Sequence, residues 1–151
     1  MWTLPLIAAS VVLAQPAPDA FVEVGCPWTP LFFGGRTTEI DASGREYAIG
    51  SWAALMTTGP AAGEVRVLLR AYTTPPRPNG LADVSAERLE AARAALIARG
   101  VPADRILLGS YPVDRQSDQA PEGWVGGYVF PEFYFTRAAA LRMFPPGGAI
   151  C

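Results

Sequence analysis

Between Val84 and Ile106 the chain reads VSAERLEAARAALIARGVPADRI, and its apolar positions repeat at helical spacing. Leu89, Ala92, Ala95 and Leu96 recur three and four residues apart, a narrow stripe built mostly from small side chains. Ser85 is placed to cap the N-terminus, and Glu87 puts an acid at the positive end of the helix dipole. Gly100 supplies a left-handed residue after Arg99, and Pro102 prevents continuation. From Glu64 to Tyr72 the period changes to two. Val65, Val67, Leu69 and Ala71 alternate with Arg66, Leu68, Arg70 and Tyr72, which predicts a strand with one buried and one mixed face.

Weaker patterns flank these two segments. Pro30 to Phe33 reads as a short strand ended by Gly34-Gly35, and Arg105 to Tyr111 as another. Asp41 is a candidate N-cap for a helix in which Tyr47, Ala48, Ser51, Trp52 and Leu55 follow helical spacing. Gly44 and Gly50 weaken that helix by about 1 kcal/mol each relative to Ala, so it must rely on packing. Gly127 to Phe135 is an aromatic final strand, and Pro131 within it predicts an edge or a bend. Thr136 caps a short last helix running to Phe144. Residues 73–80 form a loop stiffened by prolines, and residues 112–123 a polar loop. The order β-α-β-α-β-β predicts an α+β fold, a two-layer sandwich with two main helices packed on one mixed sheet.

Composition removes more chemistry than it suggests. The chain has 151 residues, no histidine and two cysteines, which excludes Ser-His-Asp and Cys-His nucleophilic sites and any His-ligated zinc. No metal, cofactor or catalytic set is expected. Asp114, Asp118 and Glu122 lie on the polar loop and read as a solvated segment rather than a pair for glycoside hydrolysis. A net charge of −2 gives no electrostatic reason to expect nucleic acid. All the basic residues are arginine, a matter of composition rather than of guanidinium chemistry.

Residues 1–14, MWTLPLIAASVVLA, are too short an apolar run to span a bilayer, which takes about 20 residues. Val12 and Ala14 fit a signal-peptidase site, so a cut before Gln15 is expected, leaving no transmembrane span. The remaining divisions are a leader at 15–29, a domain at 30–144 and a tail at 145–151. Export places Cys26 and Cys151 in an oxidising compartment, where an even pair forms a disulfide. Closing so long a loop contributes about 4–5 kcal/mol in the chain-entropy account.

The pattern Ser-x-x-Arg, helix, Gly100-Val101-Pro102-Ala103-Asp104-Arg105-Ile106 resembles the OmpA-like C-terminal domain. The likeness covers roughly Leu31 to Phe135 and is strongest from Glu64 to Ser110. It implies a non-catalytic periplasmic protein of the cell envelope, outer-membrane or cell-wall associated, that binds peptidoglycan through the diaminopimelate of its stem peptide. In that family an aspartate and an arginine hold the ammonium and carboxylate of the ligand, an oriented pair of charge-assisted contacts. By the resemblance, Arg88 stands at the arginine position, with Tyr72 in the loop motif before it. Thr74 stands where the aspartate belongs and carries no charge, and Gly126, Gly127 and Tyr128 replace basic residues that open the final strand.

Three readings of this departure stay open. Asp83 substitutes as the ammonium partner; or the pocket takes a different anionic or glycan ligand through Arg88; or the domain has lost the ligand and serves as a scaffold that binds an envelope protein. Arg88 also has a bland reading, surface pairing with Glu90 or Asp83. The aromatic run Trp124, Tyr128, Phe130, Phe133, Tyr134 and Phe135 offers rings for sugar stacking, although such residues are more often strand core.

Overall fold

The computed structural model describes residues 20–35, 37–73, 84–109 and 126–145. Among these residues five strands run in chain order: β1 Phe21–Glu23, β2 Leu31–Gly34, β3 Val65–Thr73, β4 Ile106–Gly109 and β5 Gly126–Thr136. The helices are α1 Gly50–Thr57, entered through a π-helical turn at Gly44–Ile49, then α2 Ser85–Ala98 and α3 Arg137–Met143. The strands form one mixed sheet in the order β1-β5-β3-β4, and β2 pairs with β5 beside β1. Among the described strands β3 and β4 run parallel and the other pairs antiparallel. The helices pack against the sheet, so the expected α+β two-layer arrangement holds.

The strand β3 keeps its predicted alternation, with Val65, Val67 and Leu69 fully buried. They meet Leu31 and Phe33 of β2, Val129, Phe133 and Phe135 of β5, and the helical residues Ile49, Trp52, Met56 and Leu96 in one core. Burying one such large aliphatic or aromatic side chain contributes about 1.5–3 kcal/mol. The small-residue stripe of α2 is the face it buries: Leu89, Ala92, Ala95 and Leu96 all lie inside. The stop of α2 is the expected one. Gly100 has φ +92°, and its amide donates to Ile97 O while that of Val101 donates to Leu96 O. Those two bonds form a Schellman motif, and Val101 and Leu96 are both buried in the core.

Four local expectations change. The leader contains a strand: Phe21, Val22 and Glu23 pair with Thr136, Phe135 and Tyr134. The start of α2 falls on Ser85, with Val84 in the cap position, one residue from where the sequence placed it. Asp41 does cap its helix, its Oδ1 accepting from the Gly44 amide at 2.6 Å. The π turn that follows turns the face of that helix, burying Ala48, Ile49, Trp52, Ala53 and Met56. Tyr47 is left 63% exposed, and Ser51 also faces solvent.

The fourth change concerns β5, which is the central strand and not an edge. It pairs with β3 from Val65↔Phe135 to Thr73↔Gly127, and on its other side with β1 and β2. Pro131 is tolerated there because β1 reaches only to Tyr134 and β2 only to Val129, which leaves a gap in the ladder between them. The carbonyl of Phe133 accepts from the Val24 amide, so alternate residues of β5, Pro131 among them, turn their backbone polar groups to that side. The missing N–H therefore deprives β3 of nothing.

Candidate functional site

The predicted site residues divide between described and undescribed positions. Thr74, Asp83, Trp124, Asp114, Asp118, Glu122 and Cys151 lie outside the described residues, as do residues 1–14. Arg88, Tyr72 and Cys26 lie within them. Cys26 is half-buried, and no free cysteine occurs among the described residues.

Arg88 lies in the first turns of α2 and is 2% exposed, the one buried charged side chain among the described residues. It is not on the surface beside Glu90, as surface pairing would require. Its Nε donates to Thr37 O at 3.0 Å and its Nη2 to Gly35 O at 2.8 Å. Its Cζ stands 5.1 Å from the centroid of the Phe33 ring, within cation–π range. Burial of a guanidinium is tolerated only where its donors are satisfied, and main-chain carbonyls from the segment after β2 do part of that here. Gly35 bends the chain to bring them in, with φ +52°.

Tyr72 is half-buried and lies one residue before the end of β3. Its ring stacks on that of Tyr128 with centroids 4.9 Å apart and planes 11° apart, and Tyr128 meets Phe32 at 5.9 Å. These three side chains are cross-strand partners, Phe32↔Tyr128 and Tyr72↔Tyr128, on the sheet face away from the helices. The faces of Tyr128 are thus taken up by neighbours, and Tyr128 is 3% exposed. Phe133 and Phe135 are fully buried in the core. Of the aromatic run within the described residues, only Phe130 and Tyr134 keep partial exposure, so the alternation of β5 divides the run between two faces.

The same open face carries charge. Arg70 Nε lies 2.7 Å from Glu132 Oε1, the Tyr134 hydroxyl donates to Glu132 Oε2 at 3.2 Å, and the Arg66 guanidinium covers the Phe21 ring at 4.4 Å. Burial, and then the Glu132 and Glu23 carboxylates, raise the pKa of the Tyr134 hydroxyl above its ordinary value of 10.0. These pairs hold β1, β3 and β5 together laterally. No group of acids or cysteines able to hold a metal occurs among the described residues, and no helix among them is long and apolar enough to cross a membrane.

Sequence reasoning missed the partners of Arg88. Thr37 and Gly35 contribute carbonyls, which no side-chain pattern reports. Gly127 was visible only as a departure from the family pattern. In the structure it lies beneath the guanidinium.

No family model and no curated protein matches the chain. Solved structures do. The C-terminal domain of Helicobacter pylori MotB superposes with a TM-score of 0.59 at 20% identity, covering 76% of this chain and 90% of that one. The peptidoglycan-associated lipoprotein from Burkholderia pseudomallei gives 0.54 at 16% identity, over 69% and 88% of the two chains. The periplasmic domain of Helicobacter pylori MotB gives 0.53 at 18% identity, over 77% and 80%. At such identities the likeness speaks to architecture. The fold of this chain is the OmpA-like fold.

Proposed function

We propose that this chain is a non-catalytic domain of the bacterial envelope that associates with peptidoglycan from the periplasmic side. The observation that carries this reading is Arg88, buried at the start of α2 in a fold shared with a peptidoglycan-associated lipoprotein. The ligand is the carboxylate-bearing end of a diaminopimelate-type stem peptide, with Arg88 as its guanidinium partner and Thr74 and Asp83 as the side chains around it; the Tyr72 ring, stacked on Tyr128 on the other face of the sheet, takes no part. A guanidinium suits a carboxylate because both are planar and bidentate. Export with cleavage before Gln15 and a Cys26–Cys151 bridge belong to the same proposal. The bridge is supported by the absence of a free thiol at Cys26. Intact-mass measurement without reductant tests both, since cleavage removes the leader mass and the bridge removes two hydrogens.

Retention of the exported protein on purified sacculi is the decisive measurement. The wild type is expected in the pellet, and Thr74→Asp is expected to raise retention several-fold by restoring an ammonium partner. Wild-type protein left in the supernatant, together with no gain from Thr74→Asp, overturns the proposal. A second reading, a scaffold that binds an envelope protein, is favoured by the commitment of Arg88 Nε and Nη2 to main-chain carbonyls. That commitment makes Arg88 a fastener between α2 and the segment after β2 whether or not a ligand arrives.

A further inference from the structure

Gly127 is where three strands and α2 meet. It pairs with Phe33 of β2 on one side and with Thr73 of β3 on the other. A side chain at this position would point toward the helix layer, as Val129 two residues on does. An added Cβ would fall onto Arg88 Nη1 and come within 2.6 Å of the Tyr72 carbonyl oxygen. Real Cβ atoms do not tolerate such approaches, so one of the neighbours would have to move. The guanidinium is meanwhile fixed from three other directions, by Thr37 O, Gly35 O and the Phe33 ring.

The geometry points to Gly127 as the positioning residue of the Arg88 site: by having no side chain, it leaves the slot against β5 in which the guanidinium lies. The guanidinium occupies the volume that a residue at 127 would otherwise fill. Its Nη1 thereby lies at the end of the β3–β5 ladder, beside Gly127 and close to the main-chain oxygen of Tyr72. A ligand carboxylate reaching Arg88 at the end of the β3–β5 ladder would depend on that placement, because a bidentate contact requires the fork to be held in one orientation. The identity of the ligand rests on the function proposed above. The placement of Arg88 by Gly127 does not.

The two can be tested apart. In uniformly 15N-labelled protein of the full exported chain, the Arg88 Nε–H resonance is assigned by its loss in Arg88→Met. In Gly127→Ala that resonance is expected to shift and its exchange with water to accelerate roughly tenfold or more, as the bond to Thr37 O loosens. Sacculus retention is expected to fall in parallel. An unchanged resonance in folded Gly127→Ala protein overturns the inference. Wild-type protein that fails to bind sacculi sinks the ligand reading, while the resonance still decides the role of Gly127.

Stability supplies a second test, needed because the Tyr72 carbonyl also lies close to the added methyl. The loss caused by Gly127→Ala is measured in the wild type and in Arg88→Met, where no guanidinium remains to be displaced. At least half of the loss is expected to vanish in the Arg88→Met background, a coupling that only neighbours in contact show. Equal losses in both backgrounds would assign the whole effect to the Tyr72 carbonyl and refute the role proposed for Gly127.

Discussion

The two ends of α2 are built by different means. At the C-terminal end, Gly100 and Val101 close the helix with hydrogen bonds to Ile97 and Leu96, residues of the same helix. At the N-terminal end, Arg88 is held by carbonyls 51 and 53 positions away in sequence, Thr37 O and Gly35 O. One end is a local motif that would form in any fold offering a hydrophobic seat for Val101. The other exists only when β2, β5 and α2 have already been brought together. Fold identity therefore resides at one end of the helix and candidate chemistry at the other.

The comparison is broken most strongly at the tertiary end. Arg88→Met keeps the apolar stem but leaves the Gly35 and Thr37 carbonyls without this donor. Hydrogen bonds to charged groups are worth about 1.5–3 kcal/mol each, so a loss of about 3 kcal/mol is expected in urea unfolding. A loss under about 1 kcal/mol would mean that water or a neighbour replaces the guanidinium, and the fastening role would be wrong.

At the local end the expected effect is smaller. Gly100→Ala puts a Cβ on a residue at φ +92°, costing about 1–2 kcal/mol from backbone strain alone. No heavy atom beyond its chain neighbours lies within 4 Å of that Cβ, so no steric clash adds to the figure. Equal losses at Gly100 and Arg88 would erase the distinction between the two ends.

The smallest effect is expected at α3, which mixes both means. Thr136 caps it locally, its Oγ1 accepting from the Ala139 amide at 3.2 Å and donating to Glu64 Oε1 at 3.2 Å. Arg142 reaches the same carboxylate from the last turn, Nη2 to Oε2 at 2.6 Å. The Arg142 hydrogen bond, the largest influence, outweighs desolvation and with Thr136 holds the Glu64 pKa below its ordinary 4.5. A carboxyl lowered in the folded state stabilises it fully above its unfolded value and loses that contribution as pH falls through the folded one. Thermal melts in wild type and Arg142→Gln should therefore differ at neutral pH and converge on acidification below the ordinary carboxylate range. A difference that grows with acid would contradict the assignment. Both side chains are well exposed, so the effect at neutral pH is small.

Much of the scaffold could be read directly because its signals are short-range. The alternation of β3, the stripe of α2, the Asp41 cap and the Gly100 stop each depend on residues within a few positions. Phe21–Glu23 escaped because a strand of three residues has too few positions to show a period. It forms because Phe135 and Tyr134 offer a partner edge. Pro131 misled for a related reason: proline is barred from a central strand only where its missing N–H would face a partner, and here that side faces the gap between β1 and β2. The aromatic run from Tyr128 to Phe135 similarly reads as one feature until the pleat sends Phe133 and Phe135 to the core and Tyr128 to the opposite face.

Local sequence alone determined that β3 and α2 form, which of their faces are apolar, where α2 stops, and that histidine chemistry is absent, since these follow from composition and neighbour-to-neighbour periodicity. Tertiary structure decided that β5 is central, that the leader contributes a strand, and that Arg88 is enclosed by two carbonyls, a phenylalanine ring and the empty side of Gly127. Those facts depend on main-chain atoms far apart in sequence, and on the absence of a side chain, neither of which leaves a periodic trace in the chain.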